Sequence, residues 1–88
     1  MNTNKVTAIV SGLIAAEVKD VHQNLLLIGL DSMKTINLIV QLEEEFGIVI
    51  DEHELLFENF STVSRIMDLI GPKINAKELH FTTYDEHL

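Results

Sequence analysis

The sequence predicts an all-α domain: a small four-helix bundle of three main helices, one short third helix and a long first loop. Three observations predict it. Apolar residues recur at helical spacing through 4–18, 32–46 and 63–70. Ile48-Val49-Ile50 is β-branched, but a single three-residue strand has no partner, so it reads as an extended apolar link into the core. Eighty-eight residues with 47% apolar content, one Pro and four Gly suit one packed core.

Taken in order, the first helix covers 4–18, with Val6, Ile9, Val10, Leu13, Ile14 and Val18 on one face. Asn2, Thr3 or Asn4 supplies its cap, and Gly12 is a small local cost. Residues 19–30 form the loop. Leu25, Leu26 and Ile28 are expected to tuck into the core, and Gly29 provides a turn. The second helix runs from Ser32 to Phe46, capped by Asp31 or Ser32 and stopped by Gly47. Ile36, Ile39, Leu42 and Phe46 make one inner stripe, which Leu38 and Val40 widen. Glu43-Glu44-Glu45 then opposes the helix dipole, costing about 0.3–1 kcal/mol where exposed, so these acids are expected to serve something besides helix stability.

Residues 51–60 read as a short helix or turn, with Leu55, Leu56, Phe57 and Phe60 facing inward. Phe46, Phe57 and Phe60 are the largest expected core pieces. Ser61 or Thr62 caps the last helix, which carries Val63, Ile66, Met67 and Ile70, and Gly71-Pro72 ends it. The domain is therefore placed at 1–72. The tail, 73–88, holds Leu79, Phe81 and Tyr84 without a clear period and reads as a short appended helix or as disordered.

Composition excludes several functions. There is no cysteine, hence no disulfide framework and no thiolate metal site. The N-terminus is polar and no apolar run reaches membrane-spanning length, so a soluble, cytoplasmic monomer is expected. A formal charge of −8 repels nucleic acid. The charge is uneven. Between Thr35 and Ser64 there is no Lys or Arg, yet the span holds Glu43, Glu44, Glu45, Asp51, Glu52, Glu54 and Glu58, half of the fourteen acids. Such a stretch is either a solvated surface or a docking face for basic partners.

Chemistry concentrates at "LIGLDSMKTI", residues 27–36. Ser32 as a nucleophile needs a base and an orienting group. His22, His53, His80 and His87 lie in no recognisable motif, and the elbow G-x-S-x-G is absent. No catalytic residue is assigned. Asp51, Glu52, Glu54 and Glu58 do not follow a calcium-loop pattern and the histidines are not paired at ligand spacing, so no metal site is assigned. A helix cap accounts for Asp31 or Ser32, but not for Leu30 and Met33 on either side of them.

Residues 27–50 resemble the centre of an acyl carrier or peptidyl carrier protein. The G-x-D-S-[LM] core is Gly29-Leu30-Asp31-Ser32-Met33, and Leu38, Leu42, Glu43, Phe46, Gly47 and Ile48 meet the pattern that follows it. "FENFSTVSRIMDLI", residues 57–70, is similar to the family's later F-x-T-V segment, and the likeness covers roughly residues 5–71. The resemblance implies a carrier-type bundle with 4′-phosphopantetheine on Ser32, installed from coenzyme A by a separate phosphopantetheinyl transferase. It implies a shuttle rather than an enzyme, holding an acyl or aminoacyl thioester for a loading enzyme and downstream synthase enzymes. Leu30, Asp31, Met33 and Ile36 are the expected partner contacts, with a place in the core the alternative for Met33 and Ile36. Fatty-acid carriers commonly have acids two and five places after the serine, where this chain has Lys34 and Asn37. Leu27 also stands where an acid is common, and the first loop, though long for this chain, is short for a fatty-acid carrier. These departures favour a free-standing carrier of polyketide or nonribosomal peptide type. A fatty-acid carrier and an unmodified acidic interaction module are the alternatives.

Overall fold

A computed structural model describes the backbone of residues 2–87 and the side chains of residues 2–76. Three α-helices form its frame: α1 (Asn2–Ile14), α2 (Ser32–Phe46) and α3 (Val63–His87). Turns of 3-10 helix at Leu25–Ile28, Glu52–Glu54 and Phe57–Phe60 fill the connections. Helix α1 packs against both α2 and α3, and the Phe57–Phe60 turn packs on α3. This is the small helical bundle the apolar periodicity predicts, with the short third helix present only as two 3-10 turns.

The core takes Val6, Val10 and Ile14 from α1, Leu38 and Leu42 from α2, and Val63, Ile66 and Ile70 from α3. Leu25, Leu30 and Phe60 enter it from the connections. Ile48 and Ile50 are buried while Val49 between them is 71% exposed, the alternation of an extended chain. Backbone bonds stitch the long first loop to the start of α3: Leu25 N–H donates to Ser61 C=O at 2.8 Å, and Ser64 N–H to Val21 C=O at 2.9 Å.

Helix α1 stops at Ile14 rather than 18. Ala15 takes the left-handed conformation, φ 54°, and Ala16 N–H donates to Ser11 C=O at 3.4 Å. That bond is the signature of a Schellman stop, here without the usual glycine. Val18 still packs against the core, but from the loop. Helix α2 ends in the same way at the predicted Gly47, φ 62°, where Ile48 N–H reaches Glu43 C=O at 3.2 Å.

Among the described residues, two of the three acids in the last turn of α2 have structural partners. The Glu43 carboxylate accepts Ile50 N–H at 2.9 Å, which holds the extended link, and Glu45 pairs with Lys5 of α1 at 3.4 Å.

Three expectations about packing fail. Leu26 is 44% exposed, because Leu25 alone of that pair points inward from the 3-10 turn. Leu55, Leu56 and Phe57 are about half exposed, since residues 51–60 turn along the surface and send only Phe60 into the core. Ile36, which the sequence left open between core and partner contact, is 58% exposed, and Thr35 and Leu38 take the inner positions of α2.

The third concerns Gly71-Pro72, which does not end the last helix. Helix α3 passes through Pro72. An interior proline forfeits a hydrogen bond and crowds the preceding turn. The contacts beyond it offset that loss: Ile74 packs on the core and Lys73 pairs with Glu54 at 2.7 Å. The backbone of the expected tail thus continues α3, while the side chains of Leu79, Phe81 and Tyr84 lie outside the described residues. Among the described residues, no helix is long and apolar enough to cross a membrane.

Leu42 is fully buried and Met33 is 72% exposed on the same helix. Leu42→Ala should lower the unfolding free energy by about 2–5 kcal/mol, the cost of a core cavity. Met33→Ala should change it by less than about 0.5 kcal/mol. Urea denaturation of the three proteins measures both. Equal losses would mean that α2 is rotated relative to this packing.

Candidate functional site

The site is built where the first loop becomes α2. Asn24 caps the Leu25–Ile28 turn by accepting Leu26 N–H at 3.0 Å. Gly29 follows at φ 123°, a conformation that excludes a side chain without strain. The chain then buries Leu30, extends through Asp31 and enters the helix at Ser32.

Asp31 is the cap. Its carboxylate accepts Lys34 N–H at 2.9 Å, and its carbonyl accepts both Thr35 N–H at 2.8 Å and the Thr35 hydroxyl at 2.7 Å. Ser32 is therefore the first helical residue, and its side chain is not needed to end the helix. It stands exposed. The N–H groups of Ser32 and Met33, at the first two helical positions, have no intrahelical partner, and the positive end of the dipole points out beside them.

Beside Ser32 lies an apolar groove of about 170 Å³. One wall is α2, through Ser32, Thr35, Ile36 and Ile39. The other is the segment after Glu54, through Leu55, Leu56, Phe57 and Phe60. Ile36, Leu55, Leu56 and Phe57, each about half exposed, are thus gathered at one place, next to the serine. Met33 and Val40 add exposed apolar surface on the same helix. Of the four expected contact residues, Asp31, Met33 and Ile36 are exposed at or near this site. Leu30 is not: it is only 3% exposed, packed in the core, and it drops out of the set. Its role is to anchor the turn that aims Ser32 outward.

The charges near the groove are ordered. Lys34 reaches back so that its Nζ lies 3.4 Å from Gly29 C=O. On the opposite wall, the Glu54 carboxylate accepts from Lys73 Nζ at 2.7 Å and from Asp51 N–H at 2.9 Å, while Asp51 lies 3.9 Å from the same ammonium. The Lys73 hydrogen bond first, and the Asp51 N–H second, hold the Glu54 carboxyl below its usual pKa. A depressed carboxylate stabilises the fold above its unfolded value and loses that contribution as pH falls through the folded one, so the tie is complete at neutral pH.

Sequence reasoning missed this knot because its members are far apart and Lys73 lies past the expected helix end. The ligating atoms of Asp51, His53 and Glu54 also come within 4.8 Å of one another. The Lys73 ammonium already supplies positive charge to both carboxylates there. His22 is an exposed loop residue, and the side chains of His80 and His87 lie outside those described.

The family model described as "Phosphopantetheine attachment site" matches residues 4–70. Among solved structures, the chain is similar to the carrier protein in the crystal structure of Bradyrhizobium japonicum glycine:[carrier protein] ligase complexed with glycylated carrier protein. The TM-score is 0.64 at 27% identity, covering 78% of this chain and 99% of that one.

The cap assignment sets a stability order at this site. Asp31→Ala should cost about 0.5–2 kcal/mol through the lost cap. Ser32→Ala should stay within about 0.5 kcal/mol, because the hydroxyl is exposed and no helix end depends on it. Thermal or urea unfolding of the two variants checks the order, and a larger loss for the serine variant would reverse the assignment.

Proposed function

Since the chain belongs to the phosphopantetheine attachment-site family and is a carrier protein of acyl or peptidyl type, we propose that Ser32 is its attachment residue and that its cargo is a small aminoacyl or acyl group. The observation that supports this reading is the position of Ser32. It is an exposed hydroxyl at the first residue of α2, released from capping by Asp31, at the mouth of the apolar groove.

The residues around Ser32 fit 4′-phosphopantetheine. A phosphodiester on the Ser32 Oγ would meet the unpartnered N–H groups of the first helical turn and the positive end of the dipole. The exposed side chain admits a transferase, which brings the chemistry with it, so the carrier needs no base of its own. When attached, the group supplies a thiol that holds the cargo as a thioester. Tethering keeps that cargo at high effective concentration for whichever enzyme docks.

The aminoacyl reading draws on the glycylated carrier protein of the similar structure, and it makes an amino-acid ligase the first partner after the transferase. Downstream enzymes of a specialised pathway, polyketide or nonribosomal peptide in type, follow from the departures at Lys34 and Asn37. A cytoplasmic monomer suits that role. Asp31, Met33 and Ile36 are the contacts such enzymes would meet around the arm, with apolar Met33 and Ile36 giving most of the contact area.

Incubation with coenzyme A and a broad-specificity phosphopantetheinyl transferase should add one phosphopantetheine mass to the chain, and none to Ser32→Ala. An adduct that persists in the variant would move the site elsewhere. No adduct with several competent transferases would favour the unmodified interaction module.

Partner choice is tested at Lys34 and Asn37. Rim charges act mainly on encounter rate and on rejection of wrong partners. Lys34→Asp combined with Asn37→Glu should therefore improve use of this carrier by fatty-acid synthase enzymes. The gain should shrink as salt rises. Loading rates at low and high salt for both proteins give the comparison, and equal rates would mean that these positions do not set the carrier's allegiance.

A further inference from the structure

We propose that Lys73 is a positioning residue for the site: from the part of α3 past Pro72, it latches the segment that forms the far wall of the groove beside Ser32. The inference rests on the reading of Ser32 as the attachment residue only for what the groove serves. The latch itself stands on contacts elsewhere in the chain.

The far wall is unusual in what holds it. Leu55, Leu56 and Phe57 are 44%, 50% and 53% exposed, so apolar burial secures them weakly. Polar ties bracket them instead. Before them, the Glu54 carboxylate takes Lys73 Nζ at 2.7 Å and Asp51 N–H at 2.9 Å. After them, Asn59 Nδ2 donates back to Glu54 C=O at 2.9 Å. Glu54 is the knot of that bracket, and Lys73 is its connection to the helical frame. Both side chains of the pair are 21% exposed, which shields the pair from solvent more than the Lys5–Glu45 pair at 60% and 44%.

Lys73 also lies beyond residues 4–70, the stretch that matches the family model. The helix reaches it only by continuing through Pro72. The groove thus depends on a part of the chain outside the family-matched stretch. With the latch closed, the wall presents Leu55, Leu56 and Phe57 as one surface facing α2. With it open, the segment keeps Phe60 in the core but loses its fixed distance from Ser32. An enzyme that reads both the serine and the wall would then meet the carrier in its docking geometry only part of the time.

The test uses the full chain. In Lys73→Met, amide hydrogen exchange at residues 55–58 should quicken by about two- to fivefold, the range of a partly exposed ion pair. Amides in the buried turns of α1 and α2 should keep their rates. The KM of the broad-specificity phosphopantetheinyl transferase for the carrier should rise by a similar factor with kcat unchanged. Lys73→Arg should restore both readouts. Glu54→Gln, which keeps an oxygen acceptor but loses the charge, should match Lys73→Met. Unchanged exchange at 55–58, a uniform rise across all three helices, or faster exchange with an unmoved KM would each overturn the proposal. A wild-type chain that takes no adduct would sink the Ser32 reading alone, and the exchange comparison then decides the latch.

Discussion

The phase of α2 governs everything at the site. Leu38 and Leu42 are fully buried, and Leu30 is buried just before the helix begins. Between them, the Asp31 carbonyl takes two bonds from Thr35 while its carboxylate takes Lys34 N–H. These contacts fix the rotation of the helix at its start and along its length. A helix turns by 100° per residue. Once Thr35, Leu38 and Leu42 face inward, Ser32, Ile36 and Ile39 fall on one flank of the core and Met33 and Val40 on the side away from it. A rotation of one residue would bury the serine or turn it away from the groove. The core residues of α2 hold a hydroxyl in one orientation as much as they hold the fold.

The same phase explains what could be read from the chain in advance. The positions of α2, its stop at Gly47 and the serine at its start were legible because caps and glycine stops are local chemistry. The split of its apolar residues was legible only in part, since Ile36 could be read both as core and as a partner contact. Ile36, Ile39, Leu42 and Phe46 have helical spacing, as a core stripe does, but the apolar arc is wider than the core it meets. Its edge at Ile36 lines a groove instead. Leu55, Leu56 and Phe57 misled for a related reason: apolar residues in a connection suggest burial, and only the turn geometry separates Phe60 from them. Leu30 failed in the opposite sense, since its place beside the serine suggested surface while the turn at Gly29 drives it inward.

Pro72 shows the limit of local signals most plainly. Gly-Pro is a strong stop, and the local cost of proline inside a helix is real. The contacts that outweigh it, Ile74 on the core and Lys73 on Glu54, are tertiary and leave no mark in the pattern around residue 72. The acids behave alike. A run of carboxylates without Lys or Arg looked like one surface, yet Glu43 holds the backbone of Ile50, Glu45 pairs with α1, and Asp51 and Glu54 share Lys73. Among the described residues, Glu45, Asp51 and Glu54 are the acids of that span that pair with a lysine, and Glu43 is tied to backbone instead.

That division assigns different tasks to charge and to apolar surface. Long-range attraction depends on net charge, so the excess of acids still draws basic partners and repels polyanions. Close contact depends on the groove beside Ser32, and its lining is apolar: Ile36 and Ile39 on one side, Leu55 to Phe57 on the other. If Ser32 carries the arm as proposed, several enzymes in turn would bind this surface and release it. Apolar side chains that are only half exposed offer each partner a modest area to bury, which suits release. Their exposure also withdraws them from the core, in a domain with little stability to spare. The polar ties at Glu54 and Asp31 compensate locally. They hold the two walls of the groove without covering them, so the surface stays available while the chain stays folded.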